Sequence, residues 1–133
     1  NEIGAVLQEK DSLSLIPYLN SNSVKIAEMA IITLYHREDF WTVVEEVLDK
    51  KLLKNRLAKI CFLSGVYHFG KTDLGIKTSI SFLNDISLDV VGYALWGIVF
   101  YNDVKYIELV AETQKNILKK LKFIHVLRKQ YKH

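Results

Sequence analysis

The sequence predicts an all-α fold, a short α-solenoid built of stacked antiparallel helix pairs. Three observations carry this expectation. The chain contains one proline, Pro17. Apolar residues recur at three- and four-residue spacing along nearly the whole chain, which is the period of a buried helix face. The lane Val24, Ile26, Ala27, Ala30, Ile31, Leu34 also returns as Ala58, Phe62, Leu63, Val66, and again as Leu88, Val90, Val91, Ala94, Leu95, Ile98. Tyr35-His36 is echoed at the same shift by Tyr67-His68, and then by Val99-Phe100. The shift is the same at each step, and a period of about this length belongs to helix-pair arrays, in which each pair buries its apolar face against its neighbours.

Seven or eight helices are expected. Asp11 or Ser12 caps a first helix reaching about Leu19, with Pro17 awkward inside it. Asn20 to Ser23 is a turn, and Asn22 or Ser23 caps a helix to about His36. Glu38 or Asp39 opens the next helix, whose stripe is Phe40, Val43, Val44, Val47 and Leu48. Asn55 caps a helix over Arg56–Tyr67, and His68 to Lys71 is a turn. Thr72 or Asp73 caps a helix through about Leu83. Leu88–Tyr101 is helical, and Asn102-Asp103 is a break or cap. Beyond Val104 the stripe Ile107, Val110, Gln114, Ile117, Leu121, Ile124 and Tyr131 suits one long helix, whereas the same period favours a fourth pair with a slight break near Thr113 to Asn116. The chain thus reads as one domain, 1–133, with repeats at roughly 11–36, 39–68, 72–101 and 104–131. Its expected core is Val24, Ala27, Ala30, Leu34, Phe62, Val66, Leu88, Val91, Ala94, Leu95 and Ile98, with Trp96 also inside.

Residues 16–48 and 80–110 resemble short HEAT-like repeats. Asp89, Val90 or Val91, Ala94, Leu95 and Gly97 match the second helix of that pattern. The copy with Val24, Ala27, Ala30 and Leu34 matches less fully, because it lacks the usual Asp and Gly. The middle copy, with Arg56, Ala58, Phe62 and Val66, diverges most. The resemblance implies mainly a scaffold; its relatives include protein-binding adaptors, enzymes that act on tetrapyrrole attachment and DNA-glycosylase-like nucleic-acid binders, and some small bacterial immunity proteins are similar all-helical domains.

Composition bounds the function. Half the residues are hydrophobic and 25% are charged, which excludes a disordered chain. Cys61 is the single cysteine, so no internal disulfide is possible, and no structural-zinc spacing occurs. No apolar run reaches transmembrane length, and the segment 1–20 lacks a basic signal region, so a cytoplasmic location without membrane attachment is expected. Charge is uneven: residues 1–50 hold 4 basic and 9 acidic residues, whereas 51–133 hold 14 basic and 6 acidic.

Few residues could carry chemistry. Gly65 to Thr72 reads Gly-Val-Tyr-His-Phe-Gly-Lys-Thr, the string of a phosphate loop, but it follows a helix rather than the required strand. His36 and His68 occupy equivalent repeat positions, yet two histidines without a third group are poor metal ligands. Cys61 sits in an apolar helix and reads as a buried small hydrophobe. No catalytic set is complete, so no enzyme activity, cofactor or metal is expected. The candidate binding residues are acidic: Glu38, Asp39, Glu45, Glu46 and Asp49, with Trp41 among them. Such a surface suits a protein partner with a basic face, for example a nuclease toxin. The alternative is nucleic-acid binding through Lys115, Lys119, Lys122 and Lys129, which share one face of a C-terminal helix.

Overall fold

A computed structural model describes residues 2–70, 72–101 and 104–131. Among these residues the chain is all-α, with eight α-helices and two short 3₁₀ turns. The helices are α1 (Glu2–Gln8), α2 (Ile16–Leu19), α3 (Val24–Tyr35), α4 (Phe40–Asp49), α5 (Arg56–Tyr67), α6 (Asp73–Ser81), α7 (Leu88–Tyr101) and α8 (Ile107–Tyr131). The 3₁₀ turns, Leu13–Leu15 and Val104–Tyr106, lead into α2 and α8.

Local chemistry sets the boundaries. The side chains of Ser23, Asn55 and Thr72 accept hydrogen bonds from the backbone N–H of Ile26, Ala58 and Gly75, so each caps its helix. Pro17 falls in the first turn of α2, where its missing N–H costs no helical bond. The expected first helix is therefore two pieces. Asp11 accepts the N–H of Ser14 at 3.0 Å, and Ser14's hydrogen bonds hold its carboxyl below the ordinary carboxylate range. α1 lies ahead of all expected helices and buries Leu7.

The three longest helices before α8 start at Val24, Arg56 and Leu88, at even spacing along the chain. They form a row in which α3 packs on α5 and α5 on α7. Behind the row, α2 packs on α3 and α5, α6 packs on α5 and α7, and α4 packs on α6. Such packing suits a helical bundle and a solenoid-like array alike. Equivalent positions are buried in all three copies: Ala30, Phe62 and Ala94; Ile31, Leu63 and Leu95; Leu34, Val66 and Ile98. One lane is broken. Ala27 and Val91 are buried, but Lys59 stands between them in register, and its ammonium meets the Asp85 carboxylate at 2.6 Å.

Close approach depends on two glycines in the same register. A Cβ on Gly65 would lie 2.5 Å from Ile31 Cγ1, and one on Gly97 would overlap the Tyr67 ring. Loops are also tied across the period. Asn20 donates to the carbonyl of Leu52 and accepts the N–H of Lys54, while Asn55 donates to the carbonyl of Asn20.

Three expectations are corrected. Val24 is 51% exposed, because it occupies the first turn of α3, outside the stacked face; Arg56, its counterpart, is exposed too. Trp96 is 54% exposed rather than core. Its counterparts Ile32 and Ser64 are also exposed, so this register position faces solvent in every copy. The segment 107–131 forms one helix rather than a pair. No Gly or Pro interrupts it, and Lys129 stands where a fourth stacked helix would need the small residue found at Gly65 and Gly97. The break expected at Asn102-Asp103 lies outside the described residues.

Helix α8 carries the remaining consequence. Val110, Thr113 and Ile117 face the body, but beyond Ile117 almost every residue is exposed. Its 25 residues span roughly 37 Å, so about half of it projects. The accessible surface, 8827 Å², exceeds the roughly 7,200 Å² of a compact chain of this mass, as a projecting helix requires.

Candidate protein-binding groove

The acidic helix α4 and its neighbour α6 enclose a groove of about 380 Å³. Helix α4 contributes Trp41, Val44, Glu45, Leu48 and Asp49, which recur at three- and four-residue spacing and so share one face. Helix α6 contributes Leu74 and Lys77 across from them. The hydroxyls of Thr78 and Ser81 on the same wall donate to the carbonyls of Leu74 and Thr78. With those groups satisfied inside α6, the groove offers an apolar floor and charged rims.

Trp41 is half-buried, with its ring centroid 5.1 Å from that of Phe40 and 5.3 Å from that of Phe69. Those two contacts fix its indole at the mouth. Glu45 and Asp49 lie one turn apart on the exposed side, and neither forms an ion pair among the described residues. The other three candidate acids stand apart from the groove. Glu46 is paired with Lys50 at 2.6 Å, and that hydrogen bond raises the lysine pKa above its ordinary value. Asp39 accepts the Ser12 hydroxyl at 2.7 Å, joining the start of α4 to the first 3₁₀ turn. Glu38 is exposed and does not line the groove.

A second concavity, about 490 Å³, lies on the open side of the α3–α5–α7 row. Tyr35, Tyr67, His68, Tyr93 and Trp96 line it, with Glu28 at its edge. Tyr35 stacks on His68 with centroids 4.0 Å apart, and Tyr67 stacks on Tyr93 at 5.5 Å. The repeated Tyr-His pair was its visible signal in the sequence. The rings of His36 and His68 are 5.9 Å apart, and no cluster of three or more His, Cys, Asp or Glu able to hold a metal occurs among the described residues.

The other singled-out residues are placed as follows. Cys61 is buried, and burial pushes its thiol above its ordinary pKa. Gly65 lies within α5 against Ile31, so the phosphate-loop string has no loop at its first glycine; Lys71 lies outside the described residues. Lys115, Lys119, Lys122 and Lys129 are exposed on α8, within about 80° of arc. No described helix is long and apolar enough to cross a membrane.

Compared with protein-family models, curated proteins and solved structures, the chain matches none.

Proposed function

We propose that this is a non-catalytic protein-binding module whose α4–α6 groove receives an apolar, positively charged segment of a partner. The carrying observation is the convergence of Trp41, Glu45 and Asp49 on one apolar groove, with both carboxylates outside any described ion pair. Aromatic anchors in a partly dry pocket supply contact energy, and rim charges supply rate and partner choice. The even recurrence of helix starts supports reading the stacked pairs as short HEAT-like repeats. A rigid array acting in the cytoplasm and masking a basic protein, such as a nuclease toxin, is one use of that geometry.

The test is titration with a synthetic helical Leu/Lys peptide, followed by tryptophan fluorescence. Glu45→Lys with Asp49→Lys should weaken binding at least about tenfold, and added salt should weaken it in the wild type. Peptide binding unchanged by the reversals overturns the groove assignment.

A second reading rests on the cationic face of α8. Duplex DNA binding that falls steeply with salt, and that disappears on Lys115→Glu, Lys119→Glu and Lys122→Glu but survives the groove reversals, would make nucleic acid the partner.

A further inference from the structure

Two uncovered surfaces of this molecule complement each other. Along α8 the body-facing lane of half-buried Val110, buried Thr113 and half-buried Ile117 continues as Leu121 and Ile124, which the body leaves exposed. Leu121 is 47% exposed and Ile124 is 38% exposed. Lys120 borders this lane, Arg128 falls within it between Leu121 and Ile124, and residues 113–133 hold no carboxylate side chain. Pairing two such helices side by side would set cation against cation, so α8 is a poor partner for another α8. The α4–α6 groove has the opposite character: Val44, Leu48 and Leu74 form its floor, and Glu45 and Asp49 form its α4 rim, with Lys77 on the α6 side.

Resting on the groove reading above, we propose that the occupant is the projecting half of α8 from a second copy of this chain, exchanged reciprocally. Lys120 would lie toward the α4 rim, and Leu121, Ile124 and the aliphatic stem of Arg128 would lie over the floor. Area favours exchange over a single contact. A helix end of about 13 residues is roughly 20 Å long and buries on the order of 400 Å² on each side of a groove. One such contact is below the size of stable interfaces, whereas two give on the order of 1,600 Å², the standard size. Reciprocity also closes the assembly, whereas a one-way contact would propagate into a fibre.

The experiment is sedimentation velocity across protein concentration up to about 200 µM, with three proteins. The groove variant carries Glu45→Lys and Asp49→Lys. The helix variant carries Leu121→Asp and Ile124→Asp, on a segment outside the core. Circular dichroism checks that both retain wild-type helicity and a cooperative melt. Wild type should dimerise, and salt should weaken the dimer. Each variant alone should be monomeric. An equimolar mixture keeps a single intact contact per pair, one groove against one α8, and should associate at least about tenfold more weakly than wild type. A monomeric wild type overturns the proposal, as does a groove variant or a helix variant that still dimerises, or a mixture that associates as tightly as wild type. If wild type is monomeric while the synthetic Leu/Lys peptide binds the groove, the second-copy inference fails and the groove reading stands. If neither occurs, both fail.

Discussion

The phenol of Tyr67 fills the space that a side chain on Gly97 would need. It is held there: its hydroxyl donates to the carbonyl of Tyr93 at 3.1 Å and accepts the Ser79 hydroxyl at 3.1 Å. The contact joins α5 to α7 and to α6 at once, and it sets how closely the row can pack.

Gly97→Ala should therefore destabilise the protein. The alanine gains about 1 kcal/mol of helix propensity, but overpacking against a pinned ring costs about 1–3 kcal/mol. A net loss of about 1 kcal/mol by urea unfolding is expected, and it should shrink when Tyr67→Ala is introduced first. Equal losses on both backgrounds would show that the ring does not set the spacing.

The Asn20–Asn55 clasp gives a graded series. Asn55→Ala removes a helix cap and a bond to a backbone carbonyl, and should cost about 2 kcal/mol. Asn55→Ser keeps the cap and loses only the bond to Asn20, so about half that cost is expected. Denaturant midpoints of the two variants would separate the cap from the clasp.

Two ion pairs leave α5, one to Asp85 in the turn before α7 and one to Asp89 in the first turn of α7, and they differ in environment. Lys59 and Asp85 have side chains only 21% and 10% exposed, whereas Arg56 and Asp89 are 60% and 66% exposed. Lys59→Met should cost about 1–3 kcal/mol, because it leaves Asp85 largely desolvated with its bond from the Ser87 N–H. Arg56→Met should change stability by about 0.5 kcal/mol or less, and that difference should vanish in about 1 M salt. Equal effects would contradict the burial argument.

Cys61 should be unreactive while the protein is folded. Burial favours the neutral thiol and raises its pKa above the ordinary 9.0. The sign follows: this contribution to stability is complete below the ordinary pKa and declines as pH rises through the folded value. Iodoacetamide at about pH 8 should modify native protein at least about a hundredfold more slowly than urea-unfolded protein, as read by mass spectrometry.

How far the sequence could be read depended on which residues obey a local rule. The lanes through Ala30, Phe62 and Ala94 were legible because core positions are set by period, and the caps Ser23, Asn55 and Thr72 because capping is local chemistry. Trp96 was misplaced because its neighbours Leu95 and Gly97 suggested a closely packed face, although Ser64 in the same register pointed to solvent. The continuity of α8 was hidden because periodicity cannot distinguish a helix that folds back from one that runs on. In the groove, α4 spacing brought Trp41, Glu45 and Asp49 together, but the opposing Leu74 and Lys77 come from α6, which follows only after the whole of α5, and they had no local signature.

The row of α3, α5 and α7 implies a gradient of opening. Helix α5 is packed on both sides, whereas α1 has α3 and α8 has α7 as principal support. When neighbours are the main source of support, fraying starts at the ends and moves inward. Backbone amides of Cys61 to Val66 should then exchange with deuterium only through global unfolding, while those beyond Ile117 exchange through separations that leave the rest of the row intact. The α6 wall of the groove packs on both α5 and α7, so it should open later than either end of the row.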